Sequence, residues 1–216
     1  MDPDTQDLQD LQHPRFARAY LKLSAASEAR GVASHRVKLL SGLAGRVVEV
    51  GAGNGLNFGH YPPAVTDVVA VEPDDILRAV AERAAAEAPV PVRVAAGHAE
   101  ALPGADGSFD AAVASLVLCS VPSQDRALAE IARVLRAGGL LAFYEHVRSA
   151  RPVVGWAEDL VTPIWRRAAG GCHPNRDTVR AVERAGFVVD AVDRFPFRHS
   201  PYLPGLAHVI GRAHKL

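Results

Sequence analysis

Val47-Val48-Glu49-Val50-Gly51-Ala52-Gly53-Asn54-Gly55 decides how the chain is read. A run rich in valine ends in three glycines on alternate positions, and the next apolar run, 67–71, ends in Glu72. The pattern is that of a strand, a tight turn and a second strand. Glycine reaches positive φ and carries no Cβ, so backbone N–H groups in such a turn can meet a ligand directly. A dinucleotide-binding turn wants glycine at its first, third and sixth positions. Here those positions hold Gly51, Gly53 and Leu56, which argues against a dinucleotide.

Outward from this turn, strand and helix signals alternate. Residues 46–50 and 67–72 read as the first two strands. Residues 74–87 read as an alanine-rich helix, with Asp74 and Asp75 at its N-terminus and Pro89 beyond its end. Strands three and four are expected at 90–95 and 109–116, a helix at 123–136 and strand five at 139–147. This alternation predicts an α/β fold: a Rossmann-like, doubly wound, mostly parallel sheet with helices on both faces. Further on, 152–169 reads as helix interrupted at Pro163, 170–175 as loop, and 177–185 as a helix closed by Gly186. Closing strands at 187–195 and 206–213 bring the sheet to seven, with Pro196, Pro201 and Pro204 in the connection. Upstream, Phe16, Ala19, Tyr20 and Leu23, then Val32, Val37, Leu39 and Leu40, predict two helices with a break near Gly31. Residues 1–14, rich in Asp and Gln, read as a disordered or loosely docked arm. The expected organisation is a single domain, with 1–45 as arm and helical cap. Residues 46–216 form its binding core, with a helical insertion at about 150–176.

Composition narrows the function classes. The chain has 216 residues, and Lys+Arg and Asp+Glu balance at 24 each. No basic excess draws it to nucleic acid or to an anionic membrane. Two cysteines, Cys119 and Cys172, imply no disulfide framework. No apolar run reaches the roughly 20 residues of a membrane span, and the acidic start is unlike a secretion signal. A cytoplasmic protein handling a small molecule, as monomer or dimer, is expected. Alanine and arginine are abundant and lysine is scarce, the usage of a GC-rich bacterial genome.

Two more motifs complete a pattern. Gly97-His98-Ala99-Glu100-Ala101-Leu102-Pro103 precedes Asp106-Gly107-Ser108-Phe109-Asp110. Glu130-Ile131-Ala132-Arg133-Val134-Leu135-Arg136 leads into Ala137-Gly138-Gly139. With the glycine turn and Glu72, these resemble, in order over residues 46–147, the motifs of class I S-adenosylmethionine (SAM) methyltransferases. The resemblance implies SAM as cofactor and no metal. It implies a cofactor site drawn from Tyr20, Glu49, Gly51, Ala52, Gly53, Asn54, Gly55, Asn57, Glu72, Pro73, His98, Ala99, Glu100, Ser115 and Leu116. Glu72 would accept both ribose hydroxyls. Residues 98–100 would meet the adenine, with His98 standing where the family carries an acid. The DPPY-type motif of methyltransferases acting on nucleobase or glutamine amino groups is absent after strand four.

A narrower resemblance covers most of the chain beyond the arm. Asn57-Phe58-Gly59-His60-Tyr61-Pro62, Ser115-Leu116-Val117-Leu118-Cys119-Ser120-Val121, Tyr144-Glu145-His146-Val147 and Gly170-Gly171-Cys172 are similar to the methyltransferase-like proteins that methylate alkyl thiols in animals. This implies a thiol acceptor; O- or N-methylation of a metabolite, or a noncatalytic SAM-binding module, stays open. The animal proteins carry an N-terminal membrane-anchoring helix, and no such segment is read here. The acceptor should meet the cofactor beyond strand five, where His146 is placed to take its proton. Glu145 could orient that ring, but adjacent strand residues face opposite sides. Cys119, Asp159, Trp165, Cys172 and His173 are candidates for the acceptor pocket, Cys119 also reading as a small buried apolar side chain. Cys172-His173 alone is too sparse for a metal. Tyr20 and His35 are candidates to cap the cofactor's methionine end.

Overall fold

The computed structural model describes residues 8–198 and 205–216. Helices α1 (Pro14–Ser27) and α2 (Ala33–Leu40) precede the first strand, joined by a π turn at Glu28–Val32. Gly31 sits in that turn at φ +113°, a conformation that glycine tolerates, and supplies the break the sequence predicts. Then follow β1 (Gly45–Val50), β2 (Val65–Val71), α3 (Asp75–Ala85), β3 (Val92–Ala95), β4 (Phe109–Ser115), α4 (Gln124–Val134) and β5 (Leu135–His146). The chain closes with α5 (Pro152–Ala168), α6 (Thr178–Arg184), β6 (Phe187–Phe197) and β7 (Leu206–Lys215).

The sheet runs β3-β2-β1-β4-β5-β7-β6. Strands β1 to β5 are parallel, and β7 is antiparallel to both β5 and β6. Successive strand residues leave opposite faces. On one face Val48, Val50, Val69, Val71, Ala112 and Ala114 pack with Leu128 and Ile131 of α4 and Ala181 and Val182 of α6. On the other, Val47, Val68, Ala70, Ala111 and Val113 pack with Leu39 and Leu40 of α2, Phe58, and Ala81 of α3. Both faces are covered, so β1 and β2 need apolar residues throughout, and their nearly unbroken valine runs follow. Strand order reverses between β1 and β4, which opens a crevice beyond the carboxyl ends of the strands. Helices starting there are capped: Asp74 accepts from the N–H of Ile76 and Leu77, and Ser123 from that of Arg126.

Three expectations are corrected, and a fourth, left between two alternatives, is decided. Strand five starts at Leu135, which pairs with Phe109 before the register jumps to Leu140 opposite Ala111; Gly138, at φ +70°, lies in the jump. Helix α5 runs on through Pro163, because residue 159, whose carbonyl loses its helical partner there, is exposed to solvent. Pro196 lies inside β6 opposite Ala207, tolerated because β6 is the edge strand; Pro201 and Pro204 fall outside the described residues. The described part of the arm is docked: Gln12 Nε2 donates to Pro73 O at 2.7 Å, Asp75 N–H to Gln12 Oε1 at 3.1 Å, and His13 N–H to Asp74 Oδ2 at 3.1 Å. Residues 1–7 fall outside the described residues.

Phe143 of β5 pairs with Gly211 of β7, and a Cβ at Gly211 would overlap the Phe143 ring. Gly211→Val is therefore expected to cost about 1–3 kcal/mol, read calorimetrically as a fall in Tm of roughly 2–10 °C. A Tm at or above that of the wild type would show that the sheet absorbs the side chain.

Candidate active site

Three strand ends meet at one level. Val50 pairs with Val71 on one side and Ala114 on the other, so Gly51, Glu72 and Ser115 leave the sheet together. Ala52 N–H donates to Val71 O at 3.0 Å, and Gly53 N–H to Glu72 Oε2 at 2.7 Å. Glu72 Oε1 accepts from the N–H of Asp74 at 2.9 Å. The three glycines lie at φ +64°, +58° and +78°. A Cβ at Gly51 would meet Val117 at 2.5 Å and one at Gly55 the Phe58 ring at 2.8 Å, whereas one at Gly53 would meet only Tyr20, at 3.6 Å. The outer glycines let the chain pack; the middle one keeps a space open between the turn and Tyr20. Burial pushes the Glu72 carboxyl up to about 7, against the lowering effect of its two N–H bonds.

A buried network ties this turn to the N-terminal helices. Glu49 accepts from Asn57 Nδ2 at 2.8 Å and from the Tyr61 hydroxyl at 2.6 Å. Arg36 Nη1 donates to Asn57 Oδ1 at 2.8 Å, and its Nε to Glu28 Oε1 at 2.9 Å. Burial pushes Glu49 up to about 7 as well. Asn54 Nδ2 donates to Ser24 Oγ of α1 at 3.2 Å.

The end of β5 carries a cluster of another kind. His146 Nδ1 lies 3.2 Å from Cys172 Sγ and 3.9 Å from Cys119 Sγ. Glu145, on the preceding residue, accepts from the N–H of Val117 (3.0 Å), Leu118 (2.9 Å) and Cys119 (3.0 Å). Burial pushes this carboxyl well above its ordinary range. The bonded turn starts at Leu116, at φ +61°, the one non-glycine residue with positive φ among the described residues. The Cys172 loop is pinned against the same turn. A Cβ on Gly171 would sit 2.9 Å from Ser120 O. His173 N–H donates to Cys119 O at 2.8 Å, and Arg176 Nη1 donates to Leu118 O and Val121 O at 2.8 Å each. The Cys119 thiol is pushed up by its hydrogen bond to Cys172 and by burial, while that bond lowers Cys172. The buried Trp165 indole N–H lacks a partner at hydrogen-bond distance, yet lies near enough to Cys172 to help lower its thiol. Beside this loop is a cavity of about 620 Å³, lined by residues of the arm, α1 and α5 together with Gly170 and Gly171.

Ala52, Gly53, Glu72, Ser115 and Leu116 therefore lie together past the ends of β1, β2 and β4, with Tyr20 over Gly53, and Ser115 Oγ is buried without a partner. Ala99 is buried in the core and Pro73 is tied to the arm. Other candidates are engaged elsewhere. Glu49 and Asn57 satisfy each other and brace the turn. Glu100 faces α4, accepting from Ser123 N–H at 2.8 Å and pairing with Arg126 at 3.0 Å. His98 Nδ1 accepts from the N–H of Glu100 at 3.3 Å, within its own loop. Asp159 is exposed and paired with Arg148 at 2.9 Å and Asn175 at 3.1 Å, which hold its carboxyl below the usual range. His35 packs among Tyr144, Phe195 and Phe197. Sequence reasoning missed Glu145 as the organiser of the Cys119 turn and Arg36 as a brace; the readable signal was an acid directly after the apolar run 140–144.

A family model described as a methyltransferase domain matches residues 48–143. Thiol S-methyltransferase TMT1B of Homo sapiens is 36% identical over 188 residues, 83% of this chain and 75% of that protein. TMT1B of Rattus norvegicus is 34% identical over 211 residues, covering 92% and 82% respectively. The crystal structure of a SAM-dependent methyltransferase from Thermotoga maritima superposes with a TM-score of 0.70 at 23% identity, covering 94% of this chain and 97% of that one. Fold and crevice define a class I SAM-dependent methyltransferase. Within that class, the chain belongs to the family that contains TMT1B. The residues fit SAM: the space over Gly53 is the one a Cβ would fill, and Glu72 offers acceptor lone pairs at its edge.

Gly53→Val should abolish calorimetric SAM binding while the circular dichroism spectrum persists; wild-type affinity would show that the cofactor does not pass over Gly53. As the acceptor for two ribose hydroxyls, Glu72 would bind best when ionised. With its carboxyl near 7, SAM affinity should fall about tenfold between about pH 8 and about pH 6. Stability of the free protein should move the other way. A carboxyl raised from 4.5 to about 7 stabilises fully below the lower value and loses that contribution as pH rises through the upper one. Glu72→Gln should flatten both slopes, measured by calorimetry and thermal unfolding.

Proposed function

We propose that the protein transfers the methyl group of SAM to a small thiol bound beyond the ends of β4 and β5. The observation that carries this is the Cys119–His146–Cys172 cluster at the acceptor end of the sheet, in a chain about one-third identical to thiol S-methyltransferases. SAM, when bound, supplies an electrophilic methyl on a sulfonium sulfur. The work left to the chain is to align the acceptor behind that methyl, exclude water and remove the acceptor's proton. An alkyl thiol is mostly protonated near neutral pH, since even a cysteine thiol has a pKa of about 8.5. We place His146 beside that proton.

The cavity between α1 and α5 suits a small molecule, since ligand pockets run from about 300 to 1,000 Å³. Arg15, Arg166 and Arg167 line it, which favours a thiol bearing an anionic group over one bearing an amine. Two reduced, closely spaced thiols agree with a reducing compartment, and the alanine- and arginine-rich composition with a bacterial source. No helix among the described residues is long and apolar enough to cross a membrane. In this reading residues 8–45 cap the cofactor, and α5 with its following loop forms the acceptor side of a single domain.

The test is a transfer assay with SAM against thiols, phenols and amines, following S-adenosylhomocysteine release. Thiols should turn over, mercapto acids best, and turnover confined to phenols or amines would refute the reading. His146→Ala should lower kcat by about a hundredfold or more, with SAM affinity close to that of the wild type.

A further inference from the structure

We propose that Cys119, His146 and Cys172 form a binding site for one zinc ion whose fourth position receives the acceptor thiol. This rests on the thiol reading above for the acceptor, but not for the ion. The three ligating atoms lie within 4.8 Å of one another, and among the described residues no fourth His, Cys, Asp or Glu joins them. Zinc bonds of about 2.3 Å to sulfur and 2.0–2.1 Å to nitrogen, in tetrahedral array, put S and N about 3.6 Å apart. The observed separations, 3.2 and 3.9 Å, bracket that value. Two thiolates and an imidazole are also the donors zinc prefers.

The cluster is built rather than accidental. Its ligands come from three segments far apart in the chain, and each segment is fixed by contacts other than the thiols. Glu145 holds the Cys119 turn through three N–H bonds. Gly171 and His173 lay the Cys172 loop on that turn. His146 ends a core strand. Such support of the ligands by their neighbours is what a metal centre needs. Charge also balances, since a divalent ion with two thiolates and a neutral ring is neutral, as a buried site requires. Arg176, bonded to the carbonyls of Leu118 and Val121 in the same turn, offsets the further negative charge of a bound thiolate.

Structural zinc sites use four protein ligands, whereas three leave a position for an exogenous one. An acceptor thiol entering that position forms a zinc–sulfur bond, and its S–H proton departs to solvent. The sulfur keeps its electron pair and stays nucleophilic. His146 then acts as a ligand to the ion. With zinc bound, this ligand role replaces the base role proposed above, which then belongs to the metal-free protein alone.

Zinc uptake by the reduced full-length chain tests the site without reference to catalysis. Elemental analysis and chelator competition should find about one equivalent per chain. Cys119→Ser and Cys172→Ser should each weaken binding tenfold or more, while calorimetric SAM affinity, retained in both, shows that they fold. Cobalt(II) in place of zinc should give thiolate-to-metal charge transfer and tetrahedral d–d bands, and an alkyl thiol added without SAM should shift those bands. Absence of stoichiometric uptake, or uptake unchanged in both variants, overturns the site. Full thiol turnover in chelated, metal-free protein overturns the zinc role and leaves the thiol reading standing. Zinc bound as described, with no thiol methylated, upholds the site and refutes the thiol reading.

Discussion

Three hydrogen bonds to one buried carboxylate set the turn that follows β4, on the side proposed to receive the acceptor. Glu145 gathers the N–H groups of Val117, Leu118 and Cys119, so the chain leaving β4 wraps over the end of β5. An ionised carboxyl out of water costs several kcal/mol, and its raised pKa shows that the three donors do not fully offset the burial. The Glu145 bonds act together with Arg176, which holds the carbonyls of Leu118 and Val121, and Leu116 takes a left-handed conformation to begin the turn. Once the turn is set, Cys119 faces His146, and the carbonyls of Leu118, Cys119, Ser120 and Val121 become the surface on which the Cys172 loop lies.

The cofactor side repeats the device. Glu49 and Glu72, in β1 and just past β2, are also buried and raised. With Glu145, three carboxylates stand near the carboxyl ends of β1, β2 and β5. Opposite charge favours the ionised form of a carboxyl, and burial disfavours it. A cationic cofactor thus meets at least one acid, Glu72, that gains from a positive neighbour, which is the charge a sulfonium and an ammonium bring. The free protein stores this as destabilisation, released on binding rather than on folding.

What could be read from the sequence follows the distance over which each feature is encoded. The glycine turn, Glu72 and the strand–helix alternation are local: valine runs, glycine spacing and caps such as Asp74 and Ser123 act over a few residues. They gave the seven-stranded sheet with boundaries off by one to four residues. Pro163 and Pro196 misled because a proline's meaning depends on whether its neighbours face solvent or a second strand, which no local pattern records. Glu49, Asn57 and Glu100 stand at motif positions but spend their side chains on Tyr61, Arg36 and α4. Their partners lie 8 to 26 residues away, and spacing alone does not show which way a side chain turns. Cys119 and Cys172 read as an isolated apolar residue and a pocket candidate because 53 residues separate them.

The difference between the two sides has a mechanical consequence. The cofactor side is formed by consecutive strand ends, whose register is fixed by a core covered on both faces. Little there can change without moving β1, β2 or β4. The acceptor side is fixed by contacts between the Cys119 turn, the end of β5 and the loop after α5, and α5 itself is a mostly exposed helix. A change in α5 or its loop can reshape the cavity while Gly53, Glu72 and the sheet stay as they are. The same physics that makes the cofactor recognisable from 48–143 leaves the acceptor to be read from three-dimensional placement. The close approach of Cys119, His146 and Cys172 is a feature of that kind, made by segments 26 and 27 residues apart that no local pattern joins.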